Sequence, residues 1–200
     1  MASIHPTALV DTRAQIDEAV TIGPYSVVGP NVCIGGGTTV GAHCVIEGQT
    51  RIGRDNRIFQ FNSIGAVPQD KKYAGERSEL IIGDGNTIRE FCTINLGVLG
   101  AGGVTRIGSR NWIMAYCHIA HNCLLGNNII MVNQASLTGH CMVENKAFLS
   151  GMTGFHQFTR IGTLAMVSAL TAINKDIPPY VICGGRPGVA QGINVVGMRR

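Results

Sequence analysis

Apolar residues recur at every sixth position along most of the chain. Ile107, Ile113, Ile119, Leu125, Met131, Leu137, Val143, Leu149, Phe155, Ile161, Val167 and Ile173 form one unbroken run of twelve. An earlier run of eleven (Ile4, Val10, Ile16, Ile22, Val28, Ile34, Val40, Ile46, Ile52, Ile58 and Ile64) has the same period. Ile82, Ile88 and Ile94 resume it after one gap. A period of six is neither helical nor a strand alternation, so it marks a repeat architecture. The position two before each apolar residue is usually small, as at Ala8, Ala14, Val20, Ser26, Thr38, Cys44 and Thr50. Glycine often follows the apolar residue, as at Gly23, Gly29, Gly35, Gly41, Gly53 and Gly65.

Each hexad predicts a short strand and a corner, and three hexads make one 18-residue turn of a triangular coil. The first-place aliphatic and the fifth-place small residue point inward. Glycine is expected at corners that need unusual φ and ψ. Coils stack in parallel at roughly 4.8 Å and bury the core between neighbours. Twenty-six hexads would give eight to nine coils, roughly 40 Å of prism. The pattern resembles the hexapeptide-repeat proteins, which implies an all-β, left-handed parallel β-helix. The handedness rests on that resemblance alone.

Two interruptions stand out. Residues 65–81 lose the pattern and carry Pro68, Asp70, Lys71, Lys72 and Tyr73, which reads as an external loop. Because Ile64 and Ile82 are 18 apart, the loop is expected to replace about one coil. Residues 95–106 contain Gly97, Gly100, Gly102 and Gly103, a bulge or, less specifically, a phosphate cradle. After Ile173, Asn174–Tyr180 with Pro178 and Pro179 reads as a stop signal. The chain therefore divides into a β-helix domain over 1–180 and a tail over 181–200.

Composition narrows the partners. Apolar residues make up 45% and charged residues 14%, which is globular rather than disordered. A net charge of +4 suits a phosphorylated ligand or an acidic protein, but no basic run suggests nucleic acid. No stretch spans a membrane, and the N-terminus lacks the features of a signal peptide, so a cytoplasmic location is expected. Seven cysteines without a C-x-x-C pair argue against a disulfide framework. Cys44, Cys92, Cys117, Cys123 and Cys141 fall at inward fifth places, where Cys acts as a small hydrophobe.

Residues 18 apart lie on adjacent coils. His121, Gly139 and Gln157 share one column, and Asn122, His140 and Phe158 share the next. Asn95 falls beside Ala120, and His118 borders the patch. The expected result is an external cluster with an exposed glycine backbone. A neutral imidazole suits a general base, and the Gly139 N–H suits an oxyanion donor. Together they fit acyl transfer to a hydroxyl. For His118 alone, an ordinary surface histidine is the better reading. Hexapeptide β-helices also include zinc carbonic anhydrases, so His118, His121, His140 and His156 raise a metal reading. It is set aside because no acidic partner surrounds them.

Four segments carry a closer resemblance: Gln69–Glu76, His118–Cys123, Gly151–Phe158 and Asp176–Ile182. Together they resemble the acyltransferases that move an acyl group from acyl carrier protein to UDP-N-acetylglucosamine at the start of lipid A synthesis. The resemblance spans essentially all 200 residues. It implies a homotrimer with sites between prisms, acyl carrier protein and a UDP-sugar as partners, and no cofactor or metal. It assigns His121 as general base and Gly139 as oxyanion donor. It places Asp70, Lys72, His118, His140 and Gln157 along the substrate cleft, and Asn194 and Arg200 at the nucleotide end. A length ruler for the acyl chain is expected around Ser168, Ala169 and Leu170.

The chain departs from that family at several points. Asn95-Leu96 stand where His-Arg is usual. Asn122 replaces an Asp that orients the base, and an Asn cannot stabilise imidazolium by charge. Val196 replaces a Glu. The family continues past Arg200 into a helical region, so a truncated or divergent member is expected. These departures leave open N-acylation of a 3-amino sugar, a non-catalytic nucleotide-sugar binder and, more remotely, the metal-dependent hydratase.

Overall fold

The computed structural model describes residues 1–199. Each hexad forms a short strand and then turns, and the strands line up in three sheets. Sheet 1 begins with Ser3–Ile4 and Thr21–Ile22 and has eleven strands. Sheet 2 begins with Leu9–Val10 and Val27–Val28 and has nine, and sheet 3 begins with Gln15–Ile16 and Val32–Ile34 and has eight. The chain visits the three sheets in turn, as a left-handed parallel β-helix. Apolar residues stack on apolar residues: Ile4 on Ile22 and Ile113 on Met131.

The predicted inward positions are the core. First-place Ile22, Ile46, Ile64, Ile94 and Ile119 are buried, as are fifth-place Val20, Ser26, Thr38 and Cys44. Burying one such aliphatic side chain contributes about 1.5–3 kcal/mol. The fifth-place polar groups satisfy the corner carbonyls. Asn56, Asn86 and Asn111 form a ladder whose Nδ2 atoms donate to Gly83, Gly108 and Gly126 O at 2.9–3.0 Å. The cysteines donate similarly, Cys44 Sγ to Phe59 O at 3.0 Å and Cys92 Sγ to Met114 O at 3.1 Å.

The corners correct one expectation. Their left-handed position is occupied mostly by other residues, among them Tyr25, His43, Asp55, Asn122 and His140, all with φ between 55° and 64°. The glycine after the aliphatic serves close approach instead. A Cβ on Gly41 would lie 2.7 Å from Gln60 N, and one on Gly162 would lie 2.3 Å from Pro179 N. The coil spacing leaves no room there for a side chain.

One corner carries a feature that the spacing hides. Between sheets 1 and 2 the rings of Tyr25, His43, Phe61, Phe91 and Tyr116 stack in a continuous ladder, with centroids 4.9–5.1 Å apart. The two loops stretch the spacing there from 18 to 30 and 25 residues.

Both loops leave the corner between sheets 2 and 3. One joins Ser63–Ala66 to Glu79–Ile82, and the other joins Thr93–Asn95 to Val104–Ile107. The first therefore does not replace a coil. Ile82 stacks on Ile52 rather than returning above Ile64, so the extra residues all enter one corner. The loops bond to each other through Glu79 N to Gly103 O at 2.8 Å and Gly97 N to Glu79 O at 3.2 Å. A one-turn 3-10 helix, Leu99–Ala101, lies in the second.

The stacking also outlasts Ile173. Ile177 bridges Ile161, and Val181–Gly184 pairs in parallel with the sheet 1 strand Met166–Val167. Val189–Ile193 returns antiparallel, and Asn194 caps the short helix Val195–Met198. Among the described residues, no helix is long and apolar enough to cross a membrane.

Candidate active site

The corner between sheets 2 and 3 continues above the loops through Asn122, His140 and Phe158. His121 follows the strand His118–Ile119 and precedes the left-handed corner residue Asn122. The cluster is not external as expected. His121 and Asn122 are only 6% and 5% exposed, and Gly139 is buried. The second loop lies against them, with Val98 bonded directly to the Asn122 side chain.

That contact fixes the amide. Val98 N donates to Asn122 Oδ1 at 2.9 Å, and Asn122 Nδ2 donates to Val98 O at 3.0 Å. The reverse orientation would set N–H against NH₂ and oxygen against oxygen. Asn122 Oδ1 therefore faces His121 Nδ1, 3.0 Å away. An amide oxygen only accepts, so Nδ1 carries the proton of the neutral ring. Nε2 keeps its lone pair, as a general base requires. The Asn122 main chain is itself held, its N donating to Thr105 Oγ1 at 2.8 Å.

Gly139 lies directly beside the His121 ring. A Cβ built there would fall 2.4 Å from His121 Cε1 and 2.6 Å from Nε2. Only glycine leaves room for the ring in this position. Among the described residues, the Gly139 N–H donates to no acceptor, so it is free for a developing oxyanion. His140 N donates to His121 O at 3.0 Å, and the two rings meet edge to face at 5.0 Å. Phe158 stacks on the far side of His140 at 4.5 Å.

The flanking histidines are held neutral. Burial, and then the nearby His121, lowers the pKa of His118 below the ordinary value. The same two causes lower His140, while Asp70 opposes them weakly. Thr93 Oγ1 lies 2.7 Å from His118 Nδ1. Lys72 is exposed, and its N donates to Asp70 Oδ1 at 2.9 Å. Gln157 is exposed next to Phe158 on the coil above.

Asn95 and Leu96 turn inward. Leu96 is 5% exposed and joins the core, so the departure from arginine is a packing change. Asn95 is 3% exposed, and its Nδ2 donates to Val67 O at 3.1 Å at the base of the first loop. Its Oδ1 is buried without a hydrogen-bond partner among the described residues.

Asn194 does not join this group. It bonds to Leu164 O at 2.8 Å and to Gly197 N at 2.9 Å, at the corner between sheets 3 and 1. Arg200 lies outside the described residues. Among the described residues, no three His, Cys, Asp or Glu side chains converge as a metal site. Sequence reasoning missed Val98 and Thr105. Val98 acts through its main chain on a loop whose only signal was its glycines, and Thr105 acts through the hydroxyl of a buried fifth-place residue in the strand Val104–Ile107, where the repeat predicts only packing.

A family model described as UDP N-acetylglucosamine O-acyltransferase, domain 2, matches residues 176–200. Acyl-(acyl carrier protein)–UDP-N-acetylglucosamine O-acyltransferase of Albidiferax ferrireducens is 58% identical over the whole chain, which spans 76% of that protein. Its counterpart in Paracidovorax citrulli is 59% identical with the same coverage. The solved structure of LpxA from Acinetobacter baumannii is similar with a TM-score of 0.97 at 45% identity, over 98% of this chain and 76% of that one.

Proposed function

Because the chain belongs to the acyl-(acyl carrier protein)–UDP-N-acetylglucosamine O-acyltransferases, we propose that it transfers an acyl group from acyl carrier protein to the 3-hydroxyl of UDP-N-acetylglucosamine, the first step of lipid A synthesis. The observation that carries this reading is the 3.0 Å contact of His121 Nδ1 with Asn122 Oδ1, which leaves Nε2 to accept a proton beside Gly139, whose N–H is free. His121 Nε2 takes the proton of the sugar hydroxyl as its oxygen attacks the thioester carbonyl. The Gly139 N–H stabilises the oxyanion that forms. The C–S bond then breaks, and the imidazolium returns its proton to the leaving thiolate. Asn122 holds the ring but adds no charge.

Asp70, Lys72, His118, His140 and Gln157 line the cleft for the sugar and the carrier-bound thioester, with Asn95 at its floor. Asn194 and Arg200 hold the nucleotide end. The position of Asn194 on another corner supports a site shared between copies, hence a homotrimer. An outward column on sheet 1 supports the same view. Trp112, Ile130, Phe148, Met166 and Ile182 stack in register there, away from the His121 corner of their own prism. In a trimer such a face lies across the cleft and covers the acyl chain. Ser168, Ala169 and Leu170 then limit its length.

No cofactor or metal takes part in these steps. The helix domain over 1–180 carries the chemistry, and the tail over 181–200 opens a further region in longer relatives. Seven unpaired cysteines support a cytoplasmic setting. Incubation with acyl carrier protein thioester and UDP-N-acetylglucosamine, followed by mass spectrometry, tests the reading. A monoacylated nucleotide sugar is expected. Intact substrates after prolonged incubation with the protein would overturn it.

A further inference from the structure

We propose that the glycine-rich loop over 97–103 positions the general base: its Val98 peptide fixes the Asn122 amide, and that amide decides which nitrogen of His121 carries the proton. The inference rests on the reading of His121 as base. It makes Val98 and Asn122 positioning residues, and it makes the tautomer of the base depend on the loop.

The Val98 peptide presents both of its polar groups to one side chain, at 2.9 and 3.0 Å. Its carbonyl also accepts from Gly103 N at 3.0 Å, at the other end of the loop. The same peptide thus closes the loop on itself and onto Asn122. Gly102, at φ 88°, allows the turn between them. The loop is further tied to its neighbour through the two Glu79 backbone bonds.

Asn122 Oδ1 is shared between Val98 N and His121 Nδ1. If the amide rotated by half a turn, Nδ2 would face His121 Nδ1. The ring would then carry its proton on Nε2, and the nitrogen beside Gly139 would be a donor unable to accept a proton. Two bonds from Val98 oppose that rotation. Asn122 N stays anchored on Thr105 throughout, so the side chain alone turns.

An aspartate at 122 could not make the same contact. It has no donor for Val98 O and would set one carboxylate oxygen against that carbonyl. The asparagine is matched to this loop rather than being a weakened aspartate.

The test reads the histidine ring by ¹⁵N NMR on the full chain without substrate, together with amide exchange at Val98. The parent is expected to show a protonated Nδ1 and a bare Nε2 on His121, with slow exchange at Val98. Gly102→Ala strains the turn and Val98→Pro removes the donor. Both are expected to populate the Nε2–H form and lower kcat, by between about 10-fold and 10⁴-fold, the upper figure being typical of a wholly wrong tautomer. Gly100→Ala, whose Cβ would meet nothing within 4 Å, is expected to change neither. Asn122→Asp is expected to keep the Nδ1–H form but to quicken Val98 exchange. A parental tautomer in Val98→Pro, or unchanged Val98 exchange in Asn122→Asp, would overturn the proposal. Failure of the parent to transfer acyl groups would strike the functional reading instead, because tautomer and exchange are read without the reaction.

Discussion

At Gly139 the absent side chain is what lets the His121 ring sit where it does. Gly139→Ala would place a methyl 2.4 Å from His121 Cε1, so the ring must move. A misplacement on the order of 1 Å costs about 10²-fold in rate. We expect kcat to fall by about that factor while the thermal midpoint moves little, as steady-state kinetics and calorimetry would measure. The flanking rings give a pH prediction. The folded protein holds the pKa of His118 and His140 down. The unfolded chain therefore binds protons first as pH falls below about 6.5. Stability is level above that pH and declines beneath it until the folded rings also protonate. Urea midpoints at neutral and mildly acidic pH would show the slope, and His118→Gln should flatten it. The pairing of His121 with Gly139 was legible from the 18-residue step alone. The inward turn of Asn95 and the Val98 clamp were not, because both depend on the path of loops that have no period.

Among the elements, the hexad strand and its glycine carry the fold. The period named the inward positions correctly, since pairing with the coil below forces every sixth residue onto the same line. It did not reveal what the glycines do, because a glycine in a sequence looks the same whether it supplies a positive φ or close approach. The two roles separate by mutation. Gly162→Ala would set a Cβ 2.3 Å from Pro179 N in the next segment and should destabilise by about 1–3 kcal/mol. Gly154→Ala meets nothing within 4 Å and has no positive φ, so it should be neutral or stabilising by up to about 1 kcal/mol. Chemical denaturation of the two variants would check the pair. The aromatic ladder escaped the sequence for a related reason: the loops break its spacing at Phe61–Phe91 and Phe91–Tyr116, although the corner itself runs on.

For the molecule as a whole, the placement of function follows from where the repeat is interrupted. Both loops enter the corner that also holds His121 and Gly139, so the proposed chemistry falls on the corner where the repeat is interrupted. Asn194 and the apolar column of sheet 1 lie elsewhere on the prism, so in the proposed reading a second copy brings them to the cleft. We expect sedimentation to give three times the 21.2 kDa chain mass, and a monomer of full activity would contradict a shared site. In the proposed reaction His121 is the base for acyl transfer. Its role is read from kcat/KM for transfer from acyl carrier protein to UDP-N-acetylglucosamine by the parent and by His121→Ala. A loss of about 10²- to 10⁴-fold in a variant that still folds is predicted, and transfer at the parental rate would contradict the account.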